Sequence, residues 1–157
     1  MDRDLVEILF QIIAFLFAIS VHESAHAWSA SYFGDDTARL LGRISLNPIR
    51  HIDPIGTVLM PLMAAFTGIP LLGWAKPTPV IPRKLRNRVR DNMLVAAAGP
   101  ISNFLVAIAV LIVYKGILIA TGGEIAESSM LYPLTIMLDV MLSVNVVLAV
   151  FNFLPIP

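Results

Sequence analysis

The feature that most restricts this chain is the presence, within 157 residues, of four apolar stretches: Leu5 to Phe33, Ile55 to Trp74, Met93 to Ala120 and Met130 to Leu154. Each reaches the roughly 20 residues that an α-helix needs to cross a hydrocarbon core. Hydrophobic residues make up 57% of the chain and charged residues only 14%, well away from soluble globular domains. The prediction is an all-α integral membrane protein in which little lies outside the bilayer except short loops.

A net charge of zero conceals an uneven distribution. Nine of the eleven Lys and Arg residues fall between Arg39 and Arg90, and the same stretch, extended to Asp35 and Asp91, has only Asp35, Asp36, Asp53 and Asp91 against them. The positive-inside rule therefore places residues 34–91 on the cytoplasmic side of the membrane, expected to be the cell membrane. The absence of cysteine excludes disulfides, thiolate ligands and a Cys nucleophile. The first apolar run begins MDRDLVE, which is not basic, and it is longer than a signal-peptide core, so it is read as a span.

One long helix is expected over 5–33, stopped at Gly34 and the acidic pair after it. Its second half is rich in Ser and Ala, which let helix backbones approach closely, so it should face protein. Over 38–52, Gly42, Asn47-Pro48 and Asp53-Pro54 punctuate short mixed runs and suggest a β-hairpin or edge-strand element at the membrane surface. Residues 55–74 are apolar but interrupted by Pro61, Gly68 and Pro70, and such breaks need neighbouring protein or water. If this segment spans, the basic clusters around it part company. If it dips in and returns, they stay together, and the charge bias favours the dip. A basic extended loop over 75–91 and helices over 92–121 and 130–155 complete the expected single core of three to four spanning helices.

The chemistry sits in VHESAH, inside the first span. His22 and His26 are four residues apart, about 40° of helical rotation, and can address one metal ion. Glu23 lies on the adjoining flank, within reach of a water held there but not itself a ligand. Two nitrogen ligands, a general base and an open position are the HExxH arrangement for zinc hydrolysis, with a third ligand from elsewhere. The bland alternative, polar residues making interhelical hydrogen bonds, does not account for the order and spacing of all three groups. Neutral imidazoles can also be buried without carrying charge.

VHESAH, GRISLNPIRHIDPIG, GWAKPTPV, AAAGPISNF and FNFLPIP, in that order, resemble the site-2 protease family of intramembrane zinc metalloproteases, and most closely its compact bacterial members without a PDZ domain. The resemblance implies zinc as cofactor, His22 and His26 as ligands and Glu23 as general base. Its closing motif, N-x-x-P-x-P-x-L-D-G, is matched by Asn152, Pro155 and Pro157 as far as the given residues run, and the family's third ligand is the Asp that would follow. These 157 residues are accordingly expected to be an inactive portion of a longer protease. Asp139, Asp53 and His51 are weaker substitutes for that ligand.

The resemblance also gives Asn152 a second reading beside that of a helix-end hydrogen bonder: its amide could hold substrate backbone or the oxyanion. Gly99, Pro100 and Asn103 would support the HExxH helix, and Asn145 reads as a packing contact. Trp74 reads as an interfacial anchor and Lys115 as a snorkelling side chain. WAKPTPV, as an extended edge, is the best candidate to hold an unwound substrate. The implied partners are a transmembrane-helix protein substrate and the lipid bilayer. RKLRNRVRD lies beside membrane spans without interleaved aromatics and reads as facing headgroups, with no nucleic acid implied. The competing classes are a membrane zinc-binding or transport protein that uses the same histidines without hydrolysis, and a structural bundle without metal.

Overall fold

The computed structural model describes residues 3–60, 63 and 74–154. Among these the protein is all-helical, with α1 over Arg3–Tyr32, a short α2 over Thr37–Leu40, α3 over Arg88–Ala120 and α4 over Tyr132–Phe153. Among the described residues three helices are long and apolar enough to cross a membrane: α1 from Ile8, α3 and α4. At about 1.5 Å per residue the 33-residue α3 exceeds a ~30 Å core, leaving room for Arg88 and Arg90 outside it.

Local sequence explains where these helices begin and end. At the end of α1, Gly34 adopts a φ of 111°, its N–H donates to Ser31 O, and Asp35 N–H donates to Ala30 O. That paired arrangement is the left-handed glycine stop expected at this position. The start of α3 is capped reciprocally: Asn87 Oδ1 accepts from Arg90 N–H (3.0 Å), while buried Asp91 Oδ2 accepts from Asn87 N–H (2.8 Å). Pro100 lies within α3, which continues through it.

The expected β element over 38–52 is absent; these residues form α2, a turn and a 3-10 helix over Pro48–Arg50, with no strand among the described residues. The reason lies in the two dipeptides read as hairpin punctuation. Asn47 accepts from Ile49 N–H and Asp53 accepts from Ile55 and Gly56 N–H, so each is a helix cap with proline in the first turn. Asp53 thereby opens a π-helical segment over Pro54–Leu59. The proposed dip over 55–74 lies largely in 61–62 and 64–73, outside the described residues. The edge strand expected in WAKPTPV is an extended run over 74–81 without a strand ladder.

The chain divides into two compact units, Ile19–Ala98 and Met1–Ala18 with Gly99–Pro157. In the first, Ala30, Leu85 and Val95 form a small core flanked by Phe33 and Val80. Side chains hold the extended run against it. Buried Arg43 donates to Pro77 O (3.2 Å), to Lys76 O (3.5 Å) and to Arg50 O, and Ile81 N–H donates to Asp35 Oδ2 (2.6 Å). Lys76 N–H donates to His51 O, and Trp74 N–H to Gly56 O. Gly56 is required there, since a Cβ would stand 2.5 Å from the Trp74 ring.

In the second unit, buried Asn103 joins three helices. Its Nδ2 donates to Ala18 O of α1 (3.1 Å) and to Asn145 Oδ1 of α4 (2.9 Å), and Asn145 Nδ2 donates to Met141 O (2.8 Å). Hydrogen bonds of this kind average about 0.6 kcal/mol each in membrane bundles. Asn145 is thus a packing contact, as its position suggested.

Asp35 anchors the first unit and makes it sensitive to acid. Burial alone would raise its pKa, but the Thr37 hydroxyl, the N–H groups of Ile81 and Thr37, and the Lys84 ammonium outweigh burial and hold the carboxyl below the ordinary aspartate value. A lowered folded pKa contributes stability above the unfolded value of about 3.9, and that contribution is lost as pH falls through the folded pKa. Asp35→Asn is therefore expected to lower the unfolding temperature of the protein in lipid nanodiscs at pH 7. Scans at successive pH values should show the gap to wild type closing below about pH 4.

Candidate metal centre

His22, Glu23 and His26 lie in the second half of α1, where the HExxH spacing is realised on a continuous helix. The two Nε2 atoms stand 3.1 Å apart, with ring centroids at 4.7 Å and planes at 82°. His26 Nδ1 lies 2.7 Å from Val95 O on α3. A carbonyl oxygen can only accept, so Nδ1 carries the hydrogen and the lone pair of His26 is on Nε2, facing His22.

This pair fits a metal. Two nitrogen ligands of a tetrahedral zinc, each about 2.0–2.1 Å from the ion, are about 3.3 Å apart, close to the separation found here. The Val95 carbonyl fulfils the usual outer requirement of a ligating histidine, an acceptor that fixes its tautomer and ring orientation. No group of three His, Asp or Glu side chains converges among the described residues, so the site as described offers two ligands.

Glu23 is held by the extended run. Thr78 N–H donates to Glu23 Oε2 (2.8 Å) and Thr78 Oγ donates to Glu23 O (3.0 Å). Thr78 stands between Pro77 and Pro79, so its N–H is the sole backbone donor of that tripeptide. Glu23 Oε1 has no hydrogen-bond partner among the described residues and is the atom available to take a proton. Ser24, within the motif, ties the following loop to the helix: its hydroxyl donates to Ser45 O (2.5 Å) and accepts from Ser45 N–H (3.0 Å).

The remaining residues singled out from sequence are placed as follows. Gly99 and Pro100 are buried in α3. Asn103 is occupied by Ala18 and Asn145, as described above. Asn152 is exposed near the end of α4 and its Nδ2 donates to Leu148 O (2.8 Å). His51 is buried, with Nε2 2.7 Å from Ser45 O, and Asp53 is spent on capping. Sequence reasoning missed Val95 and Thr78 as partners of the motif. The proline-flanked N–H of Thr78 was a usable signal, because it cannot join a regular ladder.

Fold and motif together define a membrane-helix protein with an HExxH site. Comparison with known proteins specifies the class: the chain is 38% identical over 150 residues, 93% of its length, to "Putative zinc metalloprotease YwhC" of Bacillus subtilis. It is also 31% identical over 101 residues, 64% of its length, to "Putative zinc metalloprotease Rip2" of Mycolicibacterium smegmatis. The similarity thus runs along nearly the whole chain and is to relatives named as zinc metalloproteases. The matched part spans 63% of the length of the first relative and 38% of the second. No family model and no solved structure matches the chain.

The Thr78 clamp is open to test by comparing two substitutions. Thr78→Val keeps the N–H and loses only the hydroxyl, and should cost about 1 kcal/mol of unfolding free energy. Thr78→Pro also removes the N–H donor to Glu23 and leaves a carboxylate oxygen unpaired, which adds about 1–3 kcal/mol to the loss of the hydroxyl. Denaturant unfolding in mixed micelles distinguishes them, and equal losses would mean that the N–H contributes nothing.

Proposed function

We propose that this chain is the HExxH-bearing portion of an intramembrane zinc metalloprotease that hydrolyses peptide bonds within or near the transmembrane helices of membrane proteins, in regulated intramembrane proteolysis. The observation that carries the reading is the facing pair of Nε2 atoms with Glu23 alongside, on a helix apolar enough to span. The relatives' names support zinc as the metal. His22 and His26 would hold it, and when bound it supplies Lewis acidity at the scissile carbonyl.

The protein's own groups do the rest. Val95 O keeps Nδ1 of His26 protonated and so keeps Nε2 available as a ligand. Glu23 Oε1 takes the proton of the attacking water and returns it to the leaving amine, while Thr78 N–H fixes Oε2 and thereby the carboxylate plane. Asn152 holds substrate backbone or the oxyanion, which requires its amide to leave Leu148 O. Gly99, Pro100 and Asn103 act as supports within α3. The extended run over 74–81 receives unwound substrate. The basic segment, with Arg83, Arg86 and Arg88 exposed, lies against cytoplasmic headgroups of the cell membrane.

The third ligand in this reading is the Asp of a Leu-Asp-Gly following Pro157 in a longer polypeptide. The 157 residues alone then bind zinc weakly and do not cleave.

The test uses that longer polypeptide in nanodiscs with a single-span protein substrate. Elemental analysis should find one zinc per chain, retained in Glu23→Gln and lost in His26→Ala. Cleavage, followed by gel and mass spectrometry, should fall by at least ~100-fold in Glu23→Gln, as removal of a general base does. Undiminished cleavage by Glu23→Gln would overturn the assigned base, and zinc flux across vesicles without cleavage would favour the transport reading.

A further inference from the structure

The unit formed by Met1–Ala18 and Gly99–Pro157 contains a cleft of ≈ 590 Å³ that the metal site does not use. Its polar lining is Tyr132, Thr135, Asp139 and Ser143 of α4, Gln11 of α1 and Tyr114 of α3. Asp139 is the sole charged group in that lining. It is seven residues into α4, about 10 Å along the helix, which is hydrocarbon depth for a 22-residue span. Its side chain is exposed in the cleft and makes no hydrogen bond or ion pair among the described residues.

A carboxylate at that depth is unfavourable unless something pairs with it. Among the described residues nothing in the cleft does: the Thr135 hydroxyl, one turn away, is turned to Tyr132 O (2.8 Å). From Tyr132 to Ser143 the polar groups recur at helical spacing over about 16 Å of α4. A single ion would fill only a small part of such a volume. An elongated face with one negative charge and short Ser and Thr side chains suits a packed helix that brings a positive charge.

We propose that this cleft is an intramembrane docking site for the transmembrane helix of a partner protein carrying a Lys or Arg, with Asp139 as its counter-charge. The partner's basic side chain lies about 10 Å in from the end of its span, level with Asp139. The proposal rests on α1, α3 and α4 crossing a bilayer and is independent of the zinc reading.

The probe is a synthetic Leu/Ala transmembrane peptide with one Lys eight residues from its end, compared with the same peptide bearing Leu there. Energy transfer to the labelled full-length polypeptide in zwitterionic nanodiscs reports association. The Lys peptide is expected to bind at least ~10-fold more tightly than the Leu peptide, a separation of about 1.4 kcal/mol. The preference should vanish in Asp139→Asn, which keeps shape and hydrogen-bonding capacity, and reverse in Asp139→Lys toward a peptide carrying Asp. Equal binding of the Lys and Leu peptides to the wild type would overturn the proposal, whether another part of the polypeptide or a small cation fills the cleft. A preference retained by Asp139→Asn would overturn it as well. A Glu23→Gln background should give the same peptide preferences whatever becomes of zinc or cleavage.

Discussion

Hydrocarbon offers no hydrogen bonds, and the structure follows from how each polar group in the apolar helices meets that condition. Most meet it through another polar group of the protein. His26 is matched to His22 on one side and to the Val95 carbonyl on the other, and Glu23 is matched to Thr78. Asn103 is matched to Asn145 and Ala18. Apart from His22 with His26, each pairing joins segments distant in sequence, so the groups of the candidate site also tie those segments together. Asp139 departs from this pattern, which is what singles out its cleft.

The second determinant is the proline content of the extended run over 74–81. Pro77 and Pro79 remove two donors, so the run cannot be fixed by a regular ladder. Scattered contacts replace it: Arg43 binds its carbonyls, Glu23 and Asp35 accept from Thr78 and Ile81 N–H, and the carbonyls of His51 and Gly56 accept from Lys76 and Trp74 N–H. Glu23 therefore has a structural duty as well as the proposed chemical one. Substitution of the base disturbs the segment that would handle substrate, and activity and folding need separate readouts.

Much of the candidate metal site was legible because HExxH is local. Four residues on a helix bring His22 and His26 together whatever the rest of the chain does, and Gly34 stops that helix by its own backbone freedom. The expected β element failed for an equally local reason. Asn-Pro and Asp-Pro are turn signals and helix-start signals alike, and neighbouring residues did not decide between them. Val95, Thr78 and Ile81 could not be assigned as partners from spacing, because they lie 69, 55 and 46 residues from His26, Glu23 and Asp35.

By itself, then, the sequence determined helices long and apolar enough to cross a membrane and a facing pair of imidazoles with a carboxylate beside them. These depend on apolar length and helical periodicity, which are properties of single segments. Tertiary structure alone decided the tautomer of His26, the oxygen of Glu23 left open for a proton, and the exposure of Asp139 in a polar cleft. Those depend on which backbone and side-chain groups from remote segments come within hydrogen-bond distance, and only the folded chain specifies that.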